Sequence, residues 1–225
     1  MVIARRNLMG GVKLPYDAEV EWLQSNGNEY IETGYVIKSN SFKIETVAAP
    51  VKQTLHPERV IASAWNYSNW NLFFCGSQGT DCVNCYGNNH MAIRGVLADE
   101  KNYIELVYDG DGIYGQIGRS LKLGDLDVRD VMPSRLSSNP LKLFMRFDKT
   151  SEPGSGVKMW SFMLYDGTVL VLDMALVRFT NENGVSEGAM YDRVSGQLFR
   201  NAGTGAFVIG PDKVGTELAG GGINA

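Results

Sequence analysis

No long apolar run occurs anywhere in the 225 residues of the sequence. A helix needs about 18 consecutive apolar residues to cross a bilayer, and no segment approaches that length. The first residues, MVIARRNLMGGVKLP, include Arg5 and Arg6 but no hydrophobic stretch of signal-peptide length before Gly10 and Gly11 interrupt them. The sequence therefore predicts no membrane insertion and no secretion signal.

An excess of charge of either sign is also absent, since 21 basic and 25 acidic residues leave a net charge of −4. Such a balance provides no general attraction to nucleic acid or to an anionic membrane surface. We therefore expect no nucleic-acid partner.

Cysteine and histidine are scarce, and most of them fall in one segment. Cys75, Cys82, Cys85 and His90 follow the spacing C-x6-C-x2-C-x4-H, which offers the ligand types of a closed Cys3His zinc site. The same residues are compatible with a disulfide between Cys82 and Cys85, or with unpaired and partly buried thiols. The odd number of cysteines excludes complete pairing within one chain. We interpret them as unpaired, with zinc as an alternative that elemental analysis would test.

A complete calcium-binding loop is missing as well. Asp109-Gly110-Asp111-Gly112 places two aspartates at i and i+2, but a calcium site takes about six oxygen ligands. Asp-Gly pairs favour the positive φ angles of hairpin loops. We interpret this segment as a turn, with calcium as the alternative.

What the sequence does contain is the pattern of one all-β domain. Its 26 glycines and its 20% of charged residues suit many short strands joined by tight turns. Apolar and polar residues alternate with the period of two that half-buried strands show. This alternation predicts strands at or near residues 19–22, 42–46, 103–108 and 141–148, and two further strands are expected at 157–165 and 168–177.

Three details refine this pattern. Asp166-Gly167 predicts a two-residue hairpin between the strands on either side. Val169 to Leu172 is apolar on both faces, which predicts a central strand covered on both sides. Residues 124–140 carry mixed charges and two prolines and are expected to form a long irregular loop.

The stretch Gly188 to Phe207, GAMYDRVSGQLFRNAGTGAF, has the clearest local signal. Two apolar and aromatic segments flank Asp192 to Gly196, where a Ser-Gly pair supplies the backbone freedom that a tight hairpin needs. Asn201, Gly203 and Gly205 then mark a second turn. None of these side chains is typical of a catalytic group.

Together with Asp17 to Tyr35, DAEVEWLQSNGNEYIETGY, this stretch resembles the LamG-like jelly rolls of the concanavalin A-like lectin/glucanase class. These domains occur in gut-bacterial surface proteins and in phages of those bacteria. The family pattern reads EYLQS.GTQYIDTG near the start and GMYDRVSGQFF.NAGTGAF near the end. The resemblance covers roughly residues 17 to 210, closely at both ends and loosely in the middle. Leu172 and Leu176 stand where the family usually has an arginine and a proline.

This resemblance implies a two-layer antiparallel jelly-roll sandwich that binds or assembles. We expect an extended basic arm at residues 1–16, a LamG-like domain at 17–211 and a flexible glycine-rich tail at 212–225. The absence of a secretion signal favours a structural protein of the phage virion exterior, such as a head fibre, a capsid decoration or a tail-associated component. Its terminal arms would hold other virion proteins, and we expect a homo-oligomer. The alternative is a carbohydrate-binding or adhesion module of the bacterial cell surface.

Aromatic and asparagine residues concentrate between positions 65 and 89. Aromatic faces stack on the apolar side of a sugar ring, and amides both donate to and accept from its hydroxyls. The alternative is that the tryptophans are core residues and the asparagines serve turns. The glycan contacts predicted from this segment are Trp65, Tyr67, Asn69, Trp70, Asn88 and Asn89.

No residue pattern supports catalysis. The glucanases of this class place carboxylates together on one strand, and a retaining pair needs a separation of about 5 Å. The nearest candidate, Glu19-Val20-Glu21, is expected to turn its carboxylates away from the face that holds Val20 and Trp22. His56 and His90 are the only histidines, so a Ser-His-Asp or Cys-His site is poorly supported. We predict no catalytic residue and no enzymatic activity.

Overall fold

The computed structural model describes residues 14–51, 58–64, 73–77, 82–86, 90–94, 96–108, 112–118, 128–131, 138–145 and 156–214. Within these ranges the chain forms seventeen β-strands and no helix, and the strand pairs are antiparallel. No described helix could therefore span a bilayer. The prediction of an all-β antiparallel fold is confirmed.

The strands form two sheets. The larger sheet contains β1 (Ala18–Glu19), β2 (Leu23–Ser25), β4 (Phe42–Pro50), β9 (Asn102–Tyr108), β10 (Gly112–Gly118), β11 (Val128–Val131), β13 (Val157–Asp166), β14 (Val169–Thr180), β15 (Ser186–Asp192), β16 (Leu198–Phe199) and β17 (Val208–Ile209). Its main order is β11-β10-β9-β4-β13-β14-β15-β16, with β1 beside β14, β2 beside β13 and β17 beside β2. The smaller sheet has the order β3-β12-β5-β6-β7-β8, formed by β3 (Ile31–Glu32), β5 (Glu58–Ser63), β6 (Phe73–Ser77), β7 (Cys82–Tyr86), β8 (His90–Arg94) and β12 (Lys142–Leu143).

The main core combines side chains of both sheets. Phe42 and Ile44 of β4 and Phe162 and Leu164 of β13 are buried in the same cluster as Ile61 of β5. The alternation that predicted β4 and β13 therefore reports the face that packs onto the second sheet. Each such side chain stabilises the fold by about 1.5 to 3 kcal/mol through removal of apolar area from water.

A second, smaller core covers the opposite face of β14 and β15. Val177 and Ala189 are fully buried there, beneath Tyr16, which is 4% exposed. The Tyr16 ring lies 5.1 Å from the ring of Tyr191, and Leu14 packs against the same cluster. The packed domain thus includes Leu14 to Tyr16.

The N-terminal and C-terminal segments of the described chain meet at one edge of the larger sheet. Val20 forms an antiparallel bridge with Asp212, and the Lys213 amide donates to the Glu19 carbonyl over 2.8 Å. The Asp212 carboxylate lies 2.7 Å from the Arg178 guanidinium, and the pKa of Asp212 is lowered chiefly by this hydrogen bond. We call this region the terminal edge.

The two predicted hairpins are confirmed. Asp166 pairs with Val169, and Gly167 has a φ of 62°, which the turn requires and glycine adopts without strain. In the closing hairpin, the Asp192 amide donates to the Gln197 carbonyl over 2.9 Å, and β15 pairs with β16. Asp192 is 1% exposed, and its buried carboxylate is satisfied by hydrogen bonds from three backbone amides and the Ser195 hydroxyl.

The two segments that carry the family resemblance pack against each other. The Asn201 side chain accepts hydrogen bonds from the Tyr30 amide, over 3.1 Å, and from the Gly203 amide, over 3.0 Å. Gly203 lies so close to Asn28 that an added Cβ would stand 1.9 Å from the Asn28 carbonyl oxygen. The Glu29 carboxylate, 4% exposed as a residue, accepts from the Asn26 amide over 2.8 Å. These motifs therefore form one interlocked unit rather than two independent turns.

The predicted central, doubly covered segment of β14 is displaced along the strand. Val169 is 62% exposed because it lies beside the hairpin turn, where the sheet ends. Met174, Ala175, Leu176 and Val177 are all buried, by the main core on one face and by the N-terminal segment on the other. The prediction of a central strand holds for β14 as a whole, but not for residues 169–172.

Within the described residues the predicted strand 141–148 ends at Leu143, and its residues 146–148 lie outside them. Phe144 has a φ of 65°, in the left-handed region, which ends the alternation and turns its side chain into the core. Its ring lies 5.1 Å from that of Phe207. Packing of this kind must offset the roughly 1 to 2 kcal/mol that the left-handed conformation costs a bulky residue.

Residues 124–140 are not wholly irregular, because Val128–Val131 forms β11 and pairs with β10.

The alternation of buried and exposed side chains predicted at residues 19–22 is wrong. Glu19 and Val20 are both buried, Glu21 is exposed and Trp22 is half-buried. The reason is that β1 ends at Glu19 and the chain bends at Glu21 before β2 begins.

Candidate functional site

The outward face of β13 carries a row of half-buried side chains. Val157, Met159, Phe162 and Leu164 point into the core, as their complete burial shows. The remaining positions are intermediate in exposure and belong to Lys158, Trp160, Ser161, Met163, Tyr165 and Asp166. The aromatic rings of Trp160 and Tyr165 thus lie on the solvent-facing side of β13.

A β-bulge interrupts this strand at Trp160. Met159 pairs with Ala48 and Ser161 pairs with Val47, so Trp160 is the extra residue between them. A bulge bends its strand and redirects a side chain, and bulges are over-represented next to functional sites. The bulge is the reason that Trp160 and Ser161, although adjacent, are both half-buried rather than one in and one out.

Trp22 is held beside this row by close packing. Its carbonyl accepts a hydrogen bond from the Gly210 amide over 2.9 Å. The Gly210 backbone lies so close to the indole that an added Cβ would stand 2.8 Å from ring atoms. On the β13 side, the Lys158 ammonium lies 3.6 Å from the centroid of the Trp22 ring.

Lys158 joins the two tryptophans, because its ammonium is also 5.2 Å from the centroid of Trp160. The Lys101 ammonium lies 5.5 Å from the same Trp160 ring. A cation near an indole gains about 0.5 to 1 kcal/mol at an exposed site. We refer to Trp22, Lys101, Lys158 and Trp160 as the tryptophan-lysine cluster.

The electrostatic surroundings of this cluster are mixed. Burial lowers the pKa of Lys158, Asp99 and Glu21 act in the opposite direction, and Lys101 lowers it further. Among the described residues, no ion pair links Lys158 to a carboxylate, so these acids act on it only from a distance. The ammonium is therefore partly desolvated without a direct counter-ion.

The other end of the β13 row is a compact ionic network. Glu45 and Glu105 occupy directly opposed positions on β4 and β9, and Lys43 lies 2.5 Å from Glu45 and 3.8 Å from Glu105. The Lys43 ammonium is also 4.5 Å from the centroid of Tyr165. Burial raises the pKa of Glu105, Lys43 opposes that shift, and Glu45 adds to it. The Lys43 ammonium therefore contacts both carboxylates, which lie on neighbouring strands.

The acidic pair that the sequence offered for catalysis is not a pair in the structure. Glu19 is 4% exposed and lies 3.0 Å from the Arg193 guanidinium and 3.7 Å from the Lys213 ammonium. Arg193 also pairs with Asp173 over 3.2 Å. This network ties β1 to the closing hairpin, whereas Glu21 is exposed to solvent.

The predicted glycan contacts Trp65, Tyr67, Asn69, Trp70, Asn88 and Asn89 lie outside the described residues. The predicted zinc ligands lie on the smaller sheet, with Cys75 on β6, Cys82 and Cys85 on β7, and His90 on β8, where only the backbone is described. Cys75 pairs with Asn84, and Tyr86 pairs with His90. The side chains that the structure does describe contain no group of three potential metal ligands. Both site predictions remain predictions, and the Asp109 to Asp111 turn also lies outside the described residues.

The tryptophan-lysine cluster was not predicted from the sequence. Trp160 and Lys158 are two residues apart in a predicted strand, so period-two reasoning places both on the polar face, where an exposed tryptophan is unusual. That signal could have identified Trp160. The approach of Trp22 depends on Gly210, which is distant in sequence, and no local pattern indicates it.

The comparisons with known proteins agree with the fold and go no further. No protein-family model matches the sequence, and no curated protein matches it. Among solved structures, the chain is similar to a Bacteroides ovatus protein assigned provisionally to carbohydrate binding, with a TM-score of 0.54 and 12% identity. That match covers 85% of this chain and 60% of the other, so this chain spans less than two thirds of its neighbour's length. The β-sandwich is thereby confirmed, whereas membership of the LamG-like family stays a prediction.

Proposed function

We propose that this protein is a non-enzymatic carbohydrate-binding module and that the tryptophan-lysine cluster contacts the glycan. The observation that carries the proposal is the presence of two half-buried tryptophans around one lysine on the outward face of β13. Indole faces offer apolar area to a sugar ring, and an ammonium donates to its oxygens. The likeness to the Bacteroides ovatus protein is consistent with this function.

The local structure suits binding to a preformed surface. Trp22 is fixed by Gly210, and Trp160 is set by the bulge, so neither ring needs a large rearrangement before contact. Rings that are already ordered lose little conformational entropy on binding, which leaves more of the contact energy as affinity. The proposal that the protein is not an enzyme is supported by the contacts of Lys43 with Glu45 and Glu105 and by the ion-paired Glu19.

Glycan-array screening followed by calorimetry tests the proposal. Trp160→Ala should weaken binding about tenfold or more, since a lost stacking contact of about 1.5 kcal/mol corresponds to that factor. Val169→Ala, at a position 62% exposed and away from the cluster, is the matched control and should bind like the wild type.

Trp65→Ala and Trp70→Ala test the surface predicted from the sequence. If these two variants lose binding while Trp160→Ala retains it, the glycan site lies there and not at the cluster. If the wild type binds no glycan, or if it hydrolyses one, the proposed function is wrong.

The place where the module acts is proposed from the family resemblance alone. We retain display on the virion exterior, with the terminal arms contacting other virion proteins and the chain forming a homo-oligomer, and the bacterial cell surface as the alternative. Detection of the protein in purified phage particles would support the first, and capsid genes beside its own gene would agree. A gene placed among polysaccharide-use genes and a protein absent from particles would support the second.

A further inference from the structure

Three of the six lysines that the structure describes, Lys38, Lys101 and Lys158, have no carboxylate within ion-pair distance among the described residues. Lys43, Lys142 and Lys213 each lie within 4 Å of a glutamate, at 2.5, 3.8 and 3.7 Å respectively. Lys158 has no such ion pair within the described part of the chain, and the same is true of Lys101 beside it. Two cations therefore converge on the tryptophan rings without direct neutralisation.

The position of the Lys158 ammonium also has a cost. The Lys158 ammonium lies 3.6 Å from the centroid of the Trp22 ring, and partial burial is the leading cause of its lowered pKa. Indole contact compensates only part of the hydration that a buried ammonium loses. An anionic group brought by a ligand would supply the missing counter-charge, whereas a neutral hydroxyl would supply only a dipole.

We infer that the glycan is acidic, and that a hexuronic-acid carboxylate pairs with the Lys158 ammonium while its sugar ring rests against Trp160. This inference rests on the proposed carbohydrate binding and names the ligand class of the same site. The 5.2 Å between the Lys158 ammonium and the Trp160 centroid allows one sugar ring to reach both groups. Lys101, 5.5 Å from the same centroid, adds a second positive charge at that ring.

Two acidic residues set the limits of this recognition. Glu21 and Asp99 both raise the pKa of Lys158, so each lies near enough to repel a bound carboxylate. Glu21 is exposed, and its removal should change the local charge with little effect on packing. Glu21→Gln should therefore increase the affinity for an acidic ligand, whereas Lys158→Gln should decrease it.

Calorimetry with paired ligands tests the inference. Oligosaccharides of glucuronic, galacturonic or mannuronic acid are compared with their carboxyl-reduced, neutral counterparts, at low and at high salt. We expect at least one acidic oligosaccharide to bind about tenfold or more tightly than its reduced form, since hydrogen bonds to charged groups contribute about 1.5 to 3 kcal/mol. That preference should shrink at high salt, where the Debye length becomes short.

The variants separate the inference from the proposed function. Lys158→Gln should weaken binding of the acidic form much more than binding of the reduced form, Glu21→Gln should increase the preference for the acidic form, and Trp160→Ala should weaken both forms. Equal binding of the acidic and reduced forms, with Lys158→Gln indistinguishable from the wild type, would overturn the acidic ligand while carbohydrate binding stands. Binding of neither form would overturn both.

Discussion

Replacement of Gly203 by alanine should unfold the junction between the two segments that carry the family resemblance. The new Cβ would lie 1.9 Å from the Asn28 carbonyl oxygen and 2.9 Å from the Tyr30 ring. Real Cβ contacts are essentially never shorter than 3.0 Å, so the backbone must move by more than an ångström. The obstacle is a main-chain atom rather than the end of a flexible side chain, and a rotamer change cannot relieve it.

The expected cost follows from what that movement breaks. Overpacking of a well-packed site costs about 1 to 3 kcal/mol. Separation of the two segments also strains the Asn201 bonds to the Tyr30 and Gly203 amides and the bond from the Ala202 amide to the Tyr30 carbonyl, each contributing about 1 kcal/mol. We expect a loss of about 4 to 6 kcal/mol in the free energy of unfolding, a large part of the roughly 5 to 15 kcal/mol that domains possess.

Gly184→Ala provides the matched control. Gly184 has a φ of 76° and nothing within 4 Å of an added Cβ, so alanine there meets backbone strain without a clash. That strain should cost about 1 to 2 kcal/mol. Urea unfolding, followed by tryptophan fluorescence, gives the free energy of unfolding of both variants, which are compared provided that the slope m against urea concentration is the same for both. If Gly203→Ala loses no more stability than Gly184→Ala, the close approach to Asn28 does not hold the domain together.

Two further predictions concern carboxylates. Asp192→Ala should lower the free energy of unfolding by about 3 kcal/mol, because it leaves buried amides and the Ser195 hydroxyl without their acceptor. Urea titration would measure this loss, and a change under about 1 kcal/mol would contradict the prediction. Asp212 has a pKa lowered by Arg178, so its stabilisation is present above the pKa of the unfolded chain and is lost as the pH falls through the lower, folded value. The pair is solvent-exposed, so this stabilisation should stay below about 1 kcal/mol, and Asp212→Asn should abolish it near neutral pH yet differ little from the wild type in strong acid.

The parts of the fold that follow from neighbouring residues could be predicted from the sequence. The Gly167 and Gly196 turns require positive φ angles, 62° and 75°, and glycine beside a polar residue is the local signature of that requirement. The alternation in β4 and β13 likewise records which face meets the second sheet. These features depend on a few consecutive residues, which a single sequence displays.

The parts that depend on distant neighbours could not be predicted. Glu19 is buried because Arg193 and Lys213, far along the chain, supply positive charge, and no local pattern announces this. The shift of the doubly covered segment of β14 depends on Tyr16 and its neighbours folding over it. For the candidate site, the polar-face position of Trp160 was visible in the sequence, but the contact between Trp22 and Lys158 is purely tertiary.

The terminal edge determines how the domain would respond to being pulled. The Lys213 amide donates a backbone hydrogen bond to the Glu19 carbonyl beyond the Val20 and Asp212 bridge, so tension applied to both flanking segments would act along these bonds and load them one after another. Hydrogen bonds loaded in this way break one at a time and at low force. A tether through both segments would thus give way first at Asp212 and Lys213, while the long β4 and β13 pairing stays out of the path of the load.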